Sequence, residues 1–82
     1  MVRISGGDGS SFENAIIISH CNNSEGVKQE YIELRKRFGI YKLIIQHLLN
    51  NEGKMYDKLE IEINNEKLEV YFDISAFFYA WE

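Results

Sequence analysis

The sequence predicts an α+β fold: one amphipathic helix over about residues 25–38, packed on a mostly antiparallel sheet of four to five strands in the order β-β-α-β-β-β. Three observations carry this. Leu59, Ile61 and Ile63, and again Leu68, Val70 and Phe72, occupy every second position, as a strand with one buried face requires. Val27, Tyr31, Leu34 and Phe38 recur at spacings of four, three and four, which is one face of a helix. Ala15-Ile16-Ile17-Ile18 is an apolar run without alternation, the mark of a strand buried on both faces or lying in the sheet centre.

Taken in order, Val2–Ser5 reads as a short edge strand. Gly6-Gly7-Asp8-Gly9-Ser10-Ser11 is turn-forming, because glycine permits positive φ while Asp and Ser accept from neighbouring backbone N–H groups. Ser10 and Glu13 have capping-box spacing, which predicts a single helical turn at residues 11–14. His20-Cys21-Asn22-Asn23 reads as a loop, with Ser24 as the helix N-cap. Glu25 and Glu30 lie early in the helix and Arg35, Lys36 and Arg37 late, matching its dipole, and Gly39 follows as the C′ residue.

Residues 40–49 fit either a helix or a strand. The Ile44-Ile45 pair and Tyr41 favour a strand, as does Asn51-Glu52-Gly53, which suits a three-residue hairpin loop. That loop sets Leu49 opposite Met55, His47 opposite Asp57 and Ile45 opposite Leu59. A second turn at Asn65-Glu66 sets Ile63 opposite Leu68, Ile61 opposite Val70 and Leu59 opposite Phe72. The other face then pairs Lys58 with Asp73 and Glu60 with Tyr71, leaving Glu62 against Glu69 as a like-charge mismatch. Ser75 is expected to cap a short terminal helix carrying Phe77, Phe78, Tyr79 and Trp81.

The 82 residues, 45% hydrophobic and 27% charged, suit a single folded domain and argue against disorder. No apolar run approaches the roughly 20 residues that span a bilayer, and the N-terminus lacks the apolar core of a signal peptide. The single cysteine, Cys21, excludes an internal disulfide and fits a reducing compartment, so the cytoplasm is the expected location. The net charge of −4 lies wholly in the second half, where residues 42–82 hold eight acids against four bases. Such a surface repels phosphates and argues against nucleic acid as a partner.

Ser5-Gly6-Gly7-Asp8-Gly9-Ser10-Ser11 with Glu13 and Ala15–Ile18 forms one distinctive stretch. Tyr56-Asp57 with Tyr71-Phe72-Asp73-Ile74 and Phe77-Phe78 forms another. With Gly26, Glu30-Tyr31 and Phe38-Gly39 between them, the chain resembles a group of small stand-alone bacterial proteins that open on Gly-Gly-Asp-Gly-Ser and end in Tyr-Phe-Asp-Ile-x-x-Phe-Phe. The resemblance covers nearly the whole chain and implies a complete small protein, with no activity, cofactor or site to carry over.

Among chemistry-bearing groups, the glycine-rich loop lacks the Gly-Lys-Ser/Thr ending of a phosphate loop and the alternating carboxylates of a calcium loop, and reads as a tight structural turn. His20 and Cys21 point to opposite faces if extended, and one Cys with two His cannot complete an ordinary zinc site. Asp57 is the one acid on an otherwise apolar strand face, where an unpaired carboxylate is costly; it is expected at the frayed start of the strand, the alternative being that His47 pairs with it. Phe77, Phe78, Tyr79 and Trp81 either close one end of the core or form a patch that binds a partner.

The resulting expectation is a small acidic non-catalytic protein-interaction domain of the kind that inhibitors and immunity proteins represent, needing no cofactor or metal. Its partner would be another protein, a basic one where charge decides, or a second copy of itself. The expected contact residues are Phe77, Phe78, Tyr79 and Trp81 together with Glu60, Glu62 and Glu69. The alternative is a small enzyme or ligand-binding domain using His20, Cys21, His47 and Asp57, which requires those residues to converge. A homodimer through the last strand and aromatic tail is the third possibility.

Overall fold

A computed structural model describes residues 1–78. Its elements are β1 (Arg3–Gly6), β2 (Ile16–Ser19), α1 (Asn23–Phe38), β3 (Lys42–Asn51), β4 (Lys54–Ile63) and β5 (Glu66–Asp73). The five strands form one sheet in the spatial order β1-β2-β5-β4-β3. Every pairing is antiparallel except β2 with β5, where Ile16 lies beside Phe72 and Ile17 beside Asp73 in parallel. The expected class and element order hold, and the chain's last strand is the middle of its sheet.

One face of the sheet carries the core. Ile16 and Ile18 from β2, Leu59 and Ile61 from β4, Val70 and Phe72 from β5 and Leu34 from α1 are buried together with Ile74 and Phe77. Val27, Tyr31 and Phe38 pack against this cluster, so the helix presents the stripe its periodicity predicts. Its N-cap is Asn22, one turn's reach from Glu25: the Asn22 side chain accepts from the Glu25 N–H and the Glu25 carboxylate accepts from the Asn22 N–H. This reciprocal box displaces Ser24 as the cap, because it satisfies two orphan donors where Ser24 would satisfy one.

Both hairpins turn through two residues. Glu52 (φ 53°) with Gly53 (φ 82°), and Asn64 (φ 51°) with Asn65 (φ 68°), have positive φ at both central positions, as a type I′ turn requires. The expected Asn65-Glu66 turn moves back by one because Asn tolerates left-handed backbone better than Glu does. Leu59 therefore meets Val70, Ile61 meets Leu68 and Asp57 meets Phe72. This two-residue slip of β5 keeps every side chain on its expected face. On the opposite face the like-charge pair is Glu60 with Glu69 rather than Glu62 with Glu69, while Glu62 faces Lys67 and Lys58 faces Tyr71.

Shortening the first loop to two residues has a larger effect. β3 shifts by one residue against β4, so His47 lies opposite Lys58, Leu48 opposite Asp57 and Asn50 opposite Met55. A bulge between Leu43 and Ile45 interrupts the register. His47 thus lies on the face away from the helix and does not meet Asp57.

The glycine-rich opening builds an extra rung on the sheet. Gly9 (φ +85°) donates to Asn14 O at 2.7 Å and accepts from the Tyr71 N–H at 2.7 Å, extending the pairing of β5 one position beyond β2. Residues 11–14 form a turn held by the Ser11 hydroxyl, which accepts from the Asn14 N–H at 3.1 Å, instead of the expected helical turn. Phe12 folds over the sheet's second face, its ring 4.9 Å from Tyr56 and 4.8 Å from Tyr71. Arg37 at the end of α1 bridges buried Glu33 and the Gly7 carbonyl, tying helix to loop.

At the end of β5, residues 75–78 make a single turn in which Asp73, not Ser75, accepts from the first free N–H. The Ser75 hydroxyl instead accepts from the Met55 N–H at 3.0 Å.

Candidate interaction surface

The helix is about 10 Å wide, whereas five strands at about 4.8 Å spacing make a sheet roughly twice that width. One helix cannot cover such a sheet, and it leaves β3 bare. Leu43, Ile44, Ile45 and Leu48 are each between 39 and 54% exposed, and Ile40 just before the strand is more open still. Leu43 and Leu48 share the helix side of the sheet with their neighbours Ile61 and Asp57; Ile45 lies on the other side beside Glu60. β3 is the outermost strand, so its outer backbone N–H and C=O groups have no strand beside them. Lys42, at its first residue, is its only charge.

The flank of α1 continues this surface. A shallow groove of about 430 Å³ is lined by Lys28, Tyr31, Ile32, Arg35, Lys36 and Tyr41, with Tyr31, Ile32 and Tyr41 as its apolar lining and the bases at its rim. The Tyr31 hydroxyl donates to Gln46 Oε1 at 2.9 Å, fastening helix to edge strand. Burial, with the nearby carboxyls of Glu30 and Asp57, pushes that hydroxyl's pKa up, so it remains a donor at neutral pH.

Behind this wall lies a pair of buried acids. Glu30 is 0% exposed and Asp57 is also buried. Neither Glu30 carboxyl oxygen has a hydrogen-bond partner of good geometry. Burial first, then the adjacent Asp57, pushes the Glu30 pKa up to about 10, so at neutral pH it holds a proton. Asp57 thus lies on the apolar face the strand pattern predicts, but it is buried inside β4 rather than at a frayed start, and its neighbour is Glu30 of the helix and not His47. A protonated acid of this kind can donate a proton; no nucleophile or histidine adjoins it among the contacts described.

The other expected site residues are scattered. His20 is exposed, at φ 60°, just beyond β2, and Cys21 packs half-buried against the core. Burial, then Glu25, pushes the Cys21 thiol up, away from the reactive thiolate. His47 is on the far edge strand, with β5 and β4 between it and β2. The structure therefore does not bring His20, Cys21 and His47 together.

Of the expected contact aromatics, Phe77 belongs to the core: it is 1% exposed and its ring sits directly on Gly26 of α1. Phe78 is half-buried against the same cluster, and Tyr79 and Trp81 lie outside the described residues. Glu60, Glu62 and Glu69 do share one face, but Lys58 Nζ stands 3.4 Å from Glu69 Oε2 and Lys67 faces Glu62, so the acids are interleaved with bases. β5 is paired along its whole length with β4 and with β2 at Phe72 and Asp73, so the stretch it leaves unpaired is confined to residues 66–70. The exposed edge at β3 was the missed feature. Its signal was the nearly uncharged run Leu43–Leu49 in a chain with a single helix to cover five strands.

No protein-family model, no curated protein and no solved structure matches this chain. Among the described residues no helix is long and apolar enough to cross a membrane, and no group of three or more His, Cys, Asp or Glu is placed to hold a metal ion.

Proposed function

We propose that this protein is a small non-catalytic protein-interaction module of the cytoplasm, and that its working surface is the β3 edge with the adjoining flank of α1. The observation that carries the reading is a ten-residue edge strand with four exposed large apolar side chains and a single charge. Natural sheets usually blunt such an edge with inward charges, proline or a covering segment, because it is a template for another strand. An inhibitor or immunity-type role fits a module of this size, as an analogy of form.

The test is a matched capture from the native host using tagged wild type and the Ile45→Lys, Leu48→Lys double variant. Both side chains are exposed, so the variant is expected to fold with an unchanged circular dichroism spectrum. A stoichiometric protein held by the wild type and lost by the folded variant supports the reading. The same proteins on both baits would remove β3 as the working surface.

A further inference from the structure

We propose that the occupant of the β3 edge is β3 of a second copy, paired antiparallel across a two-fold axis to give one continuous ten-stranded sheet; this rests on the reading of β3 as an interaction surface. Four features of the chain favour a second copy. The first is area. A ten-residue strand is about 33 Å long, and the molecule is 20 Å thick in its shortest direction. The edge thus offers roughly 600–700 Å² a side, the lower end of what stable interfaces bury.

The second is charge. Lys42, the only charge on β3, stands at one end of the strand. Antiparallel self-pairing keeps the two Lys42 side chains about 30 Å apart, whereas a parallel arrangement sets them side by side. With the axis near His47, Lys42 of one copy arrives beside Asn51 and Glu52 of the other, an opposite-charge neighbour at each end of the seam.

The third is pattern. About the same axis Ile45 meets Leu49 of the second copy on one face, and Leu48 lies against the methylenes of Gln46 on the other, while Leu43 and Ile44, beyond the bulge, reach Asn51 and Asn50 at the ends of the seam. The basic-rimmed grooves of the two α1 helices then flank the seam with Ile32 and Tyr41.

The fourth is closure. The opposite edge of each sheet, β1, has only four residues and carries Arg3. A strand that short offers little to a further copy, and the stretch of β5 that β2 leaves open, residues 66–70, carries Glu66, Lys67 and Glu69, so pairing through β3 ends at two.

The experiment is sedimentation equilibrium across a concentration series on wild type, Ile45→Lys and Leu48→Lys. It is joined to thiol cross-linking of His47→Cys and, as a distal control, Asn65→Cys, both in a Cys21→Ser background. The expected result is a wild-type dimer, a dissociation constant raised about tenfold or more by each lysine, and cross-linking by a short bis-maleimide at position 47 but not at 65. A wild type that stays monomeric throughout overturns the second copy as occupant, while loss of a foreign partner in the capture experiment would still uphold β3 as a surface. A dimer that survives both lysines, or cross-links at 65 and not at 47, also overturns the proposal.

Discussion

Glu30 of the helix and Asp57 of β4 meet as two carboxyls in the interior, with neither Glu30 oxygen properly hydrogen-bonded. Because the folded pKa of Glu30 is raised from 4.5 to about 10, the native state keeps a proton that the unfolded chain releases. Stability is therefore fullest below about pH 4.5 and falls as pH rises towards 10. At pH 7 the cost is about 3 kcal/mol at most. Glu30→Gln keeps the shape, stays neutral and can donate to Asp57. It should stabilise the protein by about 1–3 kcal/mol at pH 7 and flatten the pH profile of urea unfolding above pH 5. A variant with the wild-type slope would show that Glu30 does not carry the native proton.

Gly26 looks like a helix position that alanine would improve, by about 1 kcal/mol on propensity. A Cβ there, however, would lie 2.6 Å from three atoms of the Phe77 ring. Forcing that contact costs about 1–3 kcal/mol, so Gly26→Ala should lower the melting temperature despite the better helix. A gain in stability would mean that Phe77 does not seat on the helix.

Gly9 and Gly53 both have positive φ, but only Gly9 is crowded. A Cβ at Gly9 would meet Val70 Cγ1 at 2.8 Å, while nothing lies within 4 Å of one at Gly53. Gly53→Ala should cost about 1–2 kcal/mol from backbone strain alone, and Gly9→Ala about 2–4 kcal/mol from strain and overpacking together. Urea unfolding of the two variants separates the terms. Equal losses would remove Gly9 from the packed sheet.

Glu52 opens its turn at φ 53°, a conformation Asn accepts more readily. Glu52→Asn should therefore stabilise the first hairpin by roughly 0.5–1 kcal/mol, read as a rise in the urea midpoint at constant slope. A loss of stability would mean that the two-residue turn, and with it the β3 register, is misplaced.

The elements themselves were written in local pattern: the alternation in β4 and β5, the four-three-four stripe of α1, the β-branched run of β2. Registers were less legible, because they depend on which residues tolerate left-handed backbone. One residue at Glu52-Gly53 moved His47 away from Asp57 and dissolved the pairing that spacing suggested. The parallel junction of β2 with β5 and the burial of Glu30 were not readable either, since both arise only when distant segments meet. Phe77 fitted either the end of the core or a surface patch, because nothing in its own segment shows that Gly26, fifty-one residues earlier, leaves room for it.

The parallel contact of Ile16 with Phe72 has a consequence for how the chain comes into being. The first two strands and the β3–β4 hairpin share no direct pairing; β5 alone joins them. While the chain is synthesised from its N-terminus, the early half has no strand to lean on until residues 66–73 exist. Until then Ile16 and Ile18 have only α1 to pack against, and the facing edges of both half-sheets are unpaired. The last strand to be made is thus the one that converts two sticky fragments into a protein, and the interval before it arrives is when this sequence is most exposed to misassembly.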